Sequence, residues 1–97
     1  MAGYIVLGKY TEEGLARLKE MPEIIRKHKV RREQMGIRMV GTWLTMGEYD
    51  FISVYDAPDE QTMMRSLLMT GMAGLVRTLT LRAFGEDEFA QILAKMP

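Results

Sequence analysis

Segments with strand-like composition and segments with a helical apolar pattern follow one another in an order that few folds accommodate. The strand-like segments are rich in β-branched and aromatic residues and are bounded by turn or helix signals. They are Tyr4 to Tyr10, Ile37 to Met46, Phe51 to Tyr55 and Val76 to Phe84. Gly47 and Glu48 form the tight connection between the middle two, so the sequence predicts a β-hairpin there.

Helix signals lie between the first and second strands and again between the third and fourth. Thr11 is expected to cap the first helix, Pro22 to interrupt it, and Gly36 to end it. The second helix begins near Asp59. Its predicted core-facing residues are Met63, Met64, Leu67, Leu68 and Met72. A further amphipathic segment after the last strand predicts a C-terminal helix.

The order βαββαβ, followed by one helix, is that of a ferredoxin-like α+β fold. In this fold an antiparallel sheet carries its two main helices on one face. A chain of 97 residues suffices for one core but not for two, so we predict a single domain over residues 1–97.

Strand alternation assigns the apolar residues to two faces of the sheet. The face predicted to meet the helices carries Ile5, Leu7, Ile52, Val54, Leu79 and Leu81. The face predicted to stay open carries Val6, Trp43, Phe51, Tyr55 and Phe84. Because monomers rarely expose so large an apolar patch, we expect a homodimer or larger oligomer, formed through Trp43, Phe51 and Tyr55. The alternative is that the C-terminal helix folds over this face within one chain.

The charge balance limits the partners of the chain. Thirteen basic residues offset 13 acidic ones, so no global field draws the protein to nucleic acid or anionic lipid. The basic cluster from Arg26 to Arg32 is expected to be a solvated helix face, and we do not expect nucleic-acid binding. Neither a membrane span nor a signal peptide is evident, which favours a cytoplasmic protein.

Metal and cofactor motifs are not evident either. The absence of cysteine excludes disulfides and thiolate zinc sites. Ten methionines raise the alternative of a copper site, but no histidine or cysteine stands beside them at ligand spacing. We therefore interpret the methionines as adaptable core packing and expect no metal and no cofactor.

Three short motifs resemble the small bacterial GYD-domain proteins, and the resemblance covers nearly the whole chain. The motifs are Gly8-Lys9-Tyr10-Thr11, Gly47-Glu48-Tyr49-Asp50 and the strand from Arg77 to Phe84. The resemblance implies a dimeric α/β barrel built from ferredoxin-like subunits. It implies little chemistry, because that family is largely uncharacterised.

Two residues are candidates for catalysis. His28 is the only side chain whose ordinary pKa lies near neutrality, and it shares a helical stripe with Met21, Ile24 and Met35. It is a candidate general base, or a histidine at the edge of the stripe bonded to backbone or water. Asp50 has the strand parity of the predicted helix-covered face, where it would orient a ligand or pair with an arginine. The alternative for Asp50 is to satisfy turn amides.

Four further residues are candidates for ligand binding. Tyr49 lies at the rim of the hairpin, and Lys9 and Tyr10 lie at the end of the first strand. Arg77 is expected to hold an anionic substrate or to form an ion pair.

These observations lead to three functional hypotheses. The first is a small-molecule-binding or regulatory homo-oligomer, whose small anionic ligand lies between sheet and helices. The second is a cofactor-independent enzyme of the isomerase or small-monooxygenase type, which uses His28 and Asp50. The third is a scaffold subunit without a ligand, which predicts a filled cleft.

Overall fold

The computed structural model describes all 97 residues and shows a four-stranded antiparallel sheet. The strands are β1 (Ala2–Tyr10), β2 (Arg38–Leu44), β3 (Phe51–Ala57) and β4 (Val76–Ala83). Their spatial order is β2-β3-β1-β4, so β1 lies between β3 and β4 and pairs with both. The sheet within one chain is open rather than closed into a barrel. The predicted α+β, ferredoxin-like fold class is confirmed.

Four helices complete the fold, and the first helical region is divided as Pro22 predicts. The helices are α1 (Glu12–Ala16), α2 (Met21–Gln34), α3 (Glu60–Ala73) and α4 (Glu86–Ala94). A 3-10 turn over Leu18–Glu20 separates α1 from α2. Pro22 lies in the first turn of α2, where its missing amide proton leaves no internal helical bond unmade. No helix combines the length and the apolar composition needed to cross a bilayer.

The helix ends follow the predicted signals closely. The amide of Gly14 donates to Thr11 Oγ1 at 3.1 Å, which caps α1. The amide of Thr62 donates to Asp59 Oδ1 at 2.7 Å, which caps α3. Gly36 and Gly74 have φ values of 83° and 74°, in the left-handed region that only glycine adopts at no steric cost.

The assignment of sheet faces was wrong, because the helices cover the opposite face from the predicted one. Tyr4, Val6 and Tyr55 are buried and pack with Met63 of α3. Leu79 and Leu81, predicted to meet the helices, are 47% and 46% exposed. They share the open face with the partly buried aliphatic residues of β1 and β3. These are Ile5, Leu7, Ile52 and Val54.

The predicted aromatic face is also divided between the two sides of the sheet. Phe51 and Tyr55 lie on the helix-covered face, whereas Trp43 pairs with Ile52 on the open face and is 55% exposed. A self-association surface made of Trp43, Phe51 and Tyr55 together is therefore excluded. Gly8 explains part of this, since a side chain there would collide with the Phe51 ring, which occupies the space above β1. Alternation cannot identify the covered face when both faces are apolar.

The inward side of α3 also differs from the predicted stripe. Met63 is buried and Leu67 packs against the core, as predicted. Met64, Leu68 and Met72 instead point outward, with exposed fractions of 55%, 59% and 85%. The other buried residues of α3 are small and polar. They are Thr62, Ser66 and Thr70.

Helix α4 extends from the end of β4 without covering the sheet. Its one ion pair with the rest of the chain joins Arg82 Nη2 to Glu88 Oε2 at 3.4 Å. Its apolar stripe stays about half-exposed, so the alternative in which α4 closes the sheet face within one chain is wrong. This stripe consists of Phe89, Ile92, Leu93 and Met96.

We predict opposite effects of alanine at two helical glycines. A Cβ at Gly14 would collide with the backbone carbonyl of Leu75, which cannot rotate away, so Gly14→Ala should lower the free energy of unfolding by about 1–3 kcal/mol. A Cβ at Gly71, in α3, would meet no neighbouring atom, so Gly71→Ala should raise the free energy of unfolding by roughly 0.5–1 kcal/mol through helix propensity. Urea unfolding followed by circular dichroism measures both. A stabilising Gly14→Ala would show that α1 is not held against Leu75.

Candidate functional site

A cavity of about 310 Å³ lies between the covered face of the sheet and helices α2 and α3. Fifteen of its 22 lining residues are hydrophobic, so most of its wall offers no hydrogen bond to a ligand. Lining residues from the sheet include Val6, Tyr10, Phe51, Ser53 and Tyr55. Helix α3 contributes the small residues Ser66, Thr70 and Ala73 to the lining, beside the larger Met63 and Leu67.

Helix α2 supplies the polar end of the cavity. Its lining residues follow helical spacing, from Met21 through Ile24 and His28 to Arg32. Met21, Ile24 and His28 were predicted from helical spacing to share this stripe. Arg32 was missed, because the basic cluster was assigned to solvent. The available signal is its position four residues after His28, which puts both side chains on one helix face.

His28 is held in its neutral form. Partial burial lowers the pKa of its imidazole, and the nearby charges of Arg31 and Arg32 lower the pKa further. The side chain makes no hydrogen bond within the protein. At neutral pH it therefore presents one nitrogen donor and one nitrogen acceptor toward the cavity region.

Arg32 is the cation of the cavity. Its guanidinium carbon lies 5.0 Å from the centre of the Tyr55 ring, a cation–π arrangement. Burial lowers the pKa of Arg32, the nearby Tyr55 opposes that effect, and Arg31 adds to it. Arg32 takes part in no ion pair and in no hydrogen bond within the protein. Arg31 beside it has Nε and Nη2 buried without an acceptor.

Hydroxyl groups also line the cavity. Thr42 Oγ1 and Ser53 Oγ lie 2.8 Å apart and share a hydrogen bond across β2 and β3. Thr70 Oγ1 donates to the Ser66 carbonyl oxygen at 3.0 Å, within α3. Ser66 is 1% exposed, so its hydroxyl is available only to a group inside the protein.

Asp50 lies outside this cavity. Its Oδ2 accepts a hydrogen bond of 2.9 Å from the Tyr10 amide, and its own amide donates to the Gly8 carbonyl oxygen at 2.8 Å. It therefore ties the hairpin to the end of β1, which is the turn-amide alternative. Asp50 and Tyr10 line a second, shallower depression that adjoins the cavity. Burial and the Asp50 charge together raise the pKa of the Tyr10 phenol.

The other three candidate residues lie on the surface around the hairpin and the strand ends. Lys9 Nζ lies 5.2 Å from the centre of the Tyr49 ring and 3.9 Å from Glu48 Oε1. Arg77 is directly opposite Lys9 in the β1–β4 ladder and forms no ion pair. None of these side chains lines the cavity.

The structure thus brings His28 and Tyr10 to the cavity but not Asp50, Tyr49, Lys9 or Arg77. No carboxylate contacts His28 to orient its ring or to stabilise a protonated imidazole. A general base must reach the proton that it abstracts from a bound substrate, directly or through one water. The cavity combines a mostly apolar wall with a few polar groups, an arrangement that can bind an amphipathic molecule.

We predict that His28 makes the stability of the protein fall as the medium becomes acidic. Because its folded pKa is lowered, the stabilisation is complete above the unfolded pKa of about 6.5 and is lost as pH falls through the folded pKa. His28→Gln should flatten this slope. Urea unfolding at about pH 7.5 and about pH 5.5 measures the change.

The matched control for this measurement is Lys27→Gln, on the exposed neighbour in α2. It should keep the slope of the wild type. An equal slope in the wild type and His28→Gln would refute the prediction, because other groups would then account for the acid sensitivity.

Comparison with known proteins gives a family and one informative relative. The GYD domain model matches residues 4–93. A Thermus thermophilus protein named glutamine synthetase and cystathionine beta-lyase binding protein is 36% identical over 84 residues, which cover 86% of this chain and 88% of that protein. No solved structure matches. Because the model spans nearly all of the sheet and helices described above, the chain belongs to the GYD domain family.

Proposed function

We propose that this chain is a homo-oligomeric regulatory protein that binds metabolic enzymes and holds a small molecule in its cavity. The observation that carries the proposal is the relative from Thermus thermophilus, whose name states that it binds glutamine synthetase and cystathionine beta-lyase. Identity of 36% over most of both chains makes a shared mode of action the simplest expectation.

The distribution of apolar surface supports a role in protein binding. Three separate surfaces carry large apolar side chains that contact water in a single chain: the open sheet face, the outer stripe of α3 and the stripe of α4. Monomeric proteins rarely expose so much contiguous apolar surface, and larger patches mark interaction sites.

The open sheet face is the proposed site of self-association. Its centre consists of aliphatic side chains from β1, β3 and β4, with Trp43 at the β2 edge. A second copy placed face to face would bury this layer as the helices bury the other one. The resemblance to dimeric α/β barrels supports the same arrangement.

The outer stripe of α3, made of Met64, Leu68 and Met72, is the proposed contact for an enzyme. The three residues are spaced four apart, so they form one continuous line along the helix. Methionine is flexible and polarisable, which suits a surface that adapts to more than one partner. This surface lies on the far side of the helices from the open sheet face, so both are accessible together.

The cavity supports the small-molecule part of the proposal. A ligand-free scaffold predicts a filled cleft, whereas the cleft here has a volume of about 310 Å³. That volume is at the lower end of the range of natural ligand sites. The lack of a carboxylate beside His28 favours a binding site over the enzyme hypothesis.

We predict that Leu79→Glu reduces the oligomer to a monomer. The substitution would place an unpaired carboxylate in the buried interface, at a cost of several kcal/mol. Light scattering after size exclusion measures the mass. Met46→Glu is the control, since Met46 lies in the hairpin and is fully exposed, and it should keep the mass of the wild type. A wild-type protein that is monomeric at micromolar concentration would exclude self-association.

We predict direct binding to glutamine synthetase or cystathionine beta-lyase purified from the organism that encodes this chain. Biolayer interferometry measures the affinity. Leu68→Glu should weaken it at least tenfold, because a charge replaces an apolar contact worth about 1.5–3 kcal/mol. Met46→Glu should bind as the wild type does, and so should the sheet-face variant if it stays folded. Binding of neither enzyme would end this part of the proposal.

A further inference from the structure

We infer that the cavity takes an apolar monocarboxylate, with its carboxylate on Arg32 and its apolar body between the sheet and helices α2 and α3. This inference rests on the ligand-binding part of the proposed function and states the chemical class of the ligand. Three observations lead to it: an arginine without an ion-pair partner, positively charged surroundings without an acidic lining residue, and a mostly apolar wall.

The state of Arg32 is the first observation. A guanidinium has five N–H donors, and those of Arg32 have neither an ion-pair partner nor a hydrogen-bond acceptor within the protein. Its cation–π contact with Tyr55 occupies one face of the planar group and leaves the donors at its edge free. A carboxylate matches that edge with two parallel hydrogen bonds, which fix both its position and its orientation.

The charge around the cavity is the second observation. Arg31, which lies beside the cavity without lining it, has two buried nitrogens that lack an acceptor and acts on Arg32 through its charge. No aspartate or glutamate is among the lining residues. A local excess of positive charge therefore exists in a protein whose formal net charge is zero. Removing charged groups from water without a partner is costly, so an anion that neutralises them binds favourably.

The remainder of the wall defines the body of the ligand. Val6, Met21, Ile24, Met63 and Leu67 line the cavity, so the part of the ligand beyond its carboxylate is apolar. Inorganic phosphate or a nucleotide would leave this surface without a matching group. Neutral His28 and the hydroxyls of Ser53 and Ser66 add hydrogen bonds at defined places in the cavity.

The first test compares three probes that share one apolar body and differ in charge. They are 4-phenylbutanoate, 4-phenylbutanamide and 4-phenylbutylamine, with octanoate as a second carboxylate of different shape. Isothermal titration of the wild type should show that a carboxylate binds at least about tenfold more tightly than the amide, and that the amine does not bind. Equal affinities, tighter binding of inorganic phosphate, or no binding of either carboxylate would overturn the inference.

The second test locates the probe by methyl NMR of protein labelled at the methionine methyl groups. Met21, Met39 and Met63 line the cavity, whereas Met46, Met72 and Met96 are exposed elsewhere. Resonances of the first group should shift on addition of the tightest-binding carboxylate, and those of the second should not. Shifts confined to the exposed methionines would place the probe on the outer surface and contradict the inference.

The third test removes the cation. Arg32→Gln should weaken carboxylate binding about tenfold to a hundredfold and leave amide binding unchanged, and Arg32→Lys should restore part of the loss. Arg26→Gln is the matched control, because Arg26 is exposed in the same helix and pairs with Glu23. Arg32→Gln with the carboxylate affinity of the wild type would overturn the assignment. Enzyme association is measured separately, so loss of the probe with retention of the enzymes distinguishes this inference from the rest of the proposal.

Discussion

The central strand β1 is apolar on both of its faces, and the rest of the molecule is arranged around that requirement. Tyr4 and Val6 point to one side, Ile5 and Leu7 to the other, and hydrogen bonds to β3 and β4 occupy both edges. Helix α3 packs against one side, and α2 faces the same side across the cavity. The other side receives no cover from this chain, because α4 extends away. The second face of β1 therefore leaves an exposed apolar surface of the kind that marks interaction sites on folded proteins.

The covered side is itself unusual, because the helices are held against the sheet without filling the space between them. The buried residues of α3 include Thr62, Ser66 and Thr70, which are too small to reach across the gap. Helix α2 faces the same gap with Arg32, whose guanidinium lies over the Tyr55 ring. The result is a layer that is packed near Tyr55 and Met63 and open toward α2. Arg32 therefore faces a cavity whose lining contains no acidic residue.

Local signals in the sequence predicted the elements well, because each depends on one or two residues. Thr11 and Asp59 cap their helices through their own side chains, and Pro22 restarts a helix through its own missing proton. The faces of the sheet depend instead on where the helices cross. Because β1 has apolar residues on both sides, strand alternation is consistent with helices on either face of the sheet and does not identify the covered one. In the structure Tyr55 and Phe51 lie on the covered side, where Gly8 leaves space for the Phe51 ring.

The candidate site was predicted in part for the same reason. His28 was found because it lies on a helical stripe with apolar neighbours, which is a local pattern. Arg32 belongs to a dense basic run, and only the spatial closeness of Tyr55 separates it from its solvated neighbours. Asp50 was predicted from its strand parity to line a pocket. In the structure its carboxylate instead accepts a hydrogen bond from the Tyr10 amide. Tertiary contacts between distant segments decide which group a carboxylate such as that of Asp50 pairs with.

Helix α3 separates two properties along one element, with small hydroxyl residues inward and methionine and leucine outward. The inner residues affect the volume and polarity of the cavity, and the outer ones form an exposed apolar surface. Substitution at Ser66 or Thr70 changes the cavity without altering the outer surface of α3. Substitution at Met64 or Met72 changes that outer surface without altering the cavity. In the proposed function the inner residues contact a small molecule and the outer ones contact an enzyme. After gene duplication, descendants of a chain with that function could diverge in the molecule they bind while keeping the same enzyme partner, or exchange partners while binding the same molecule.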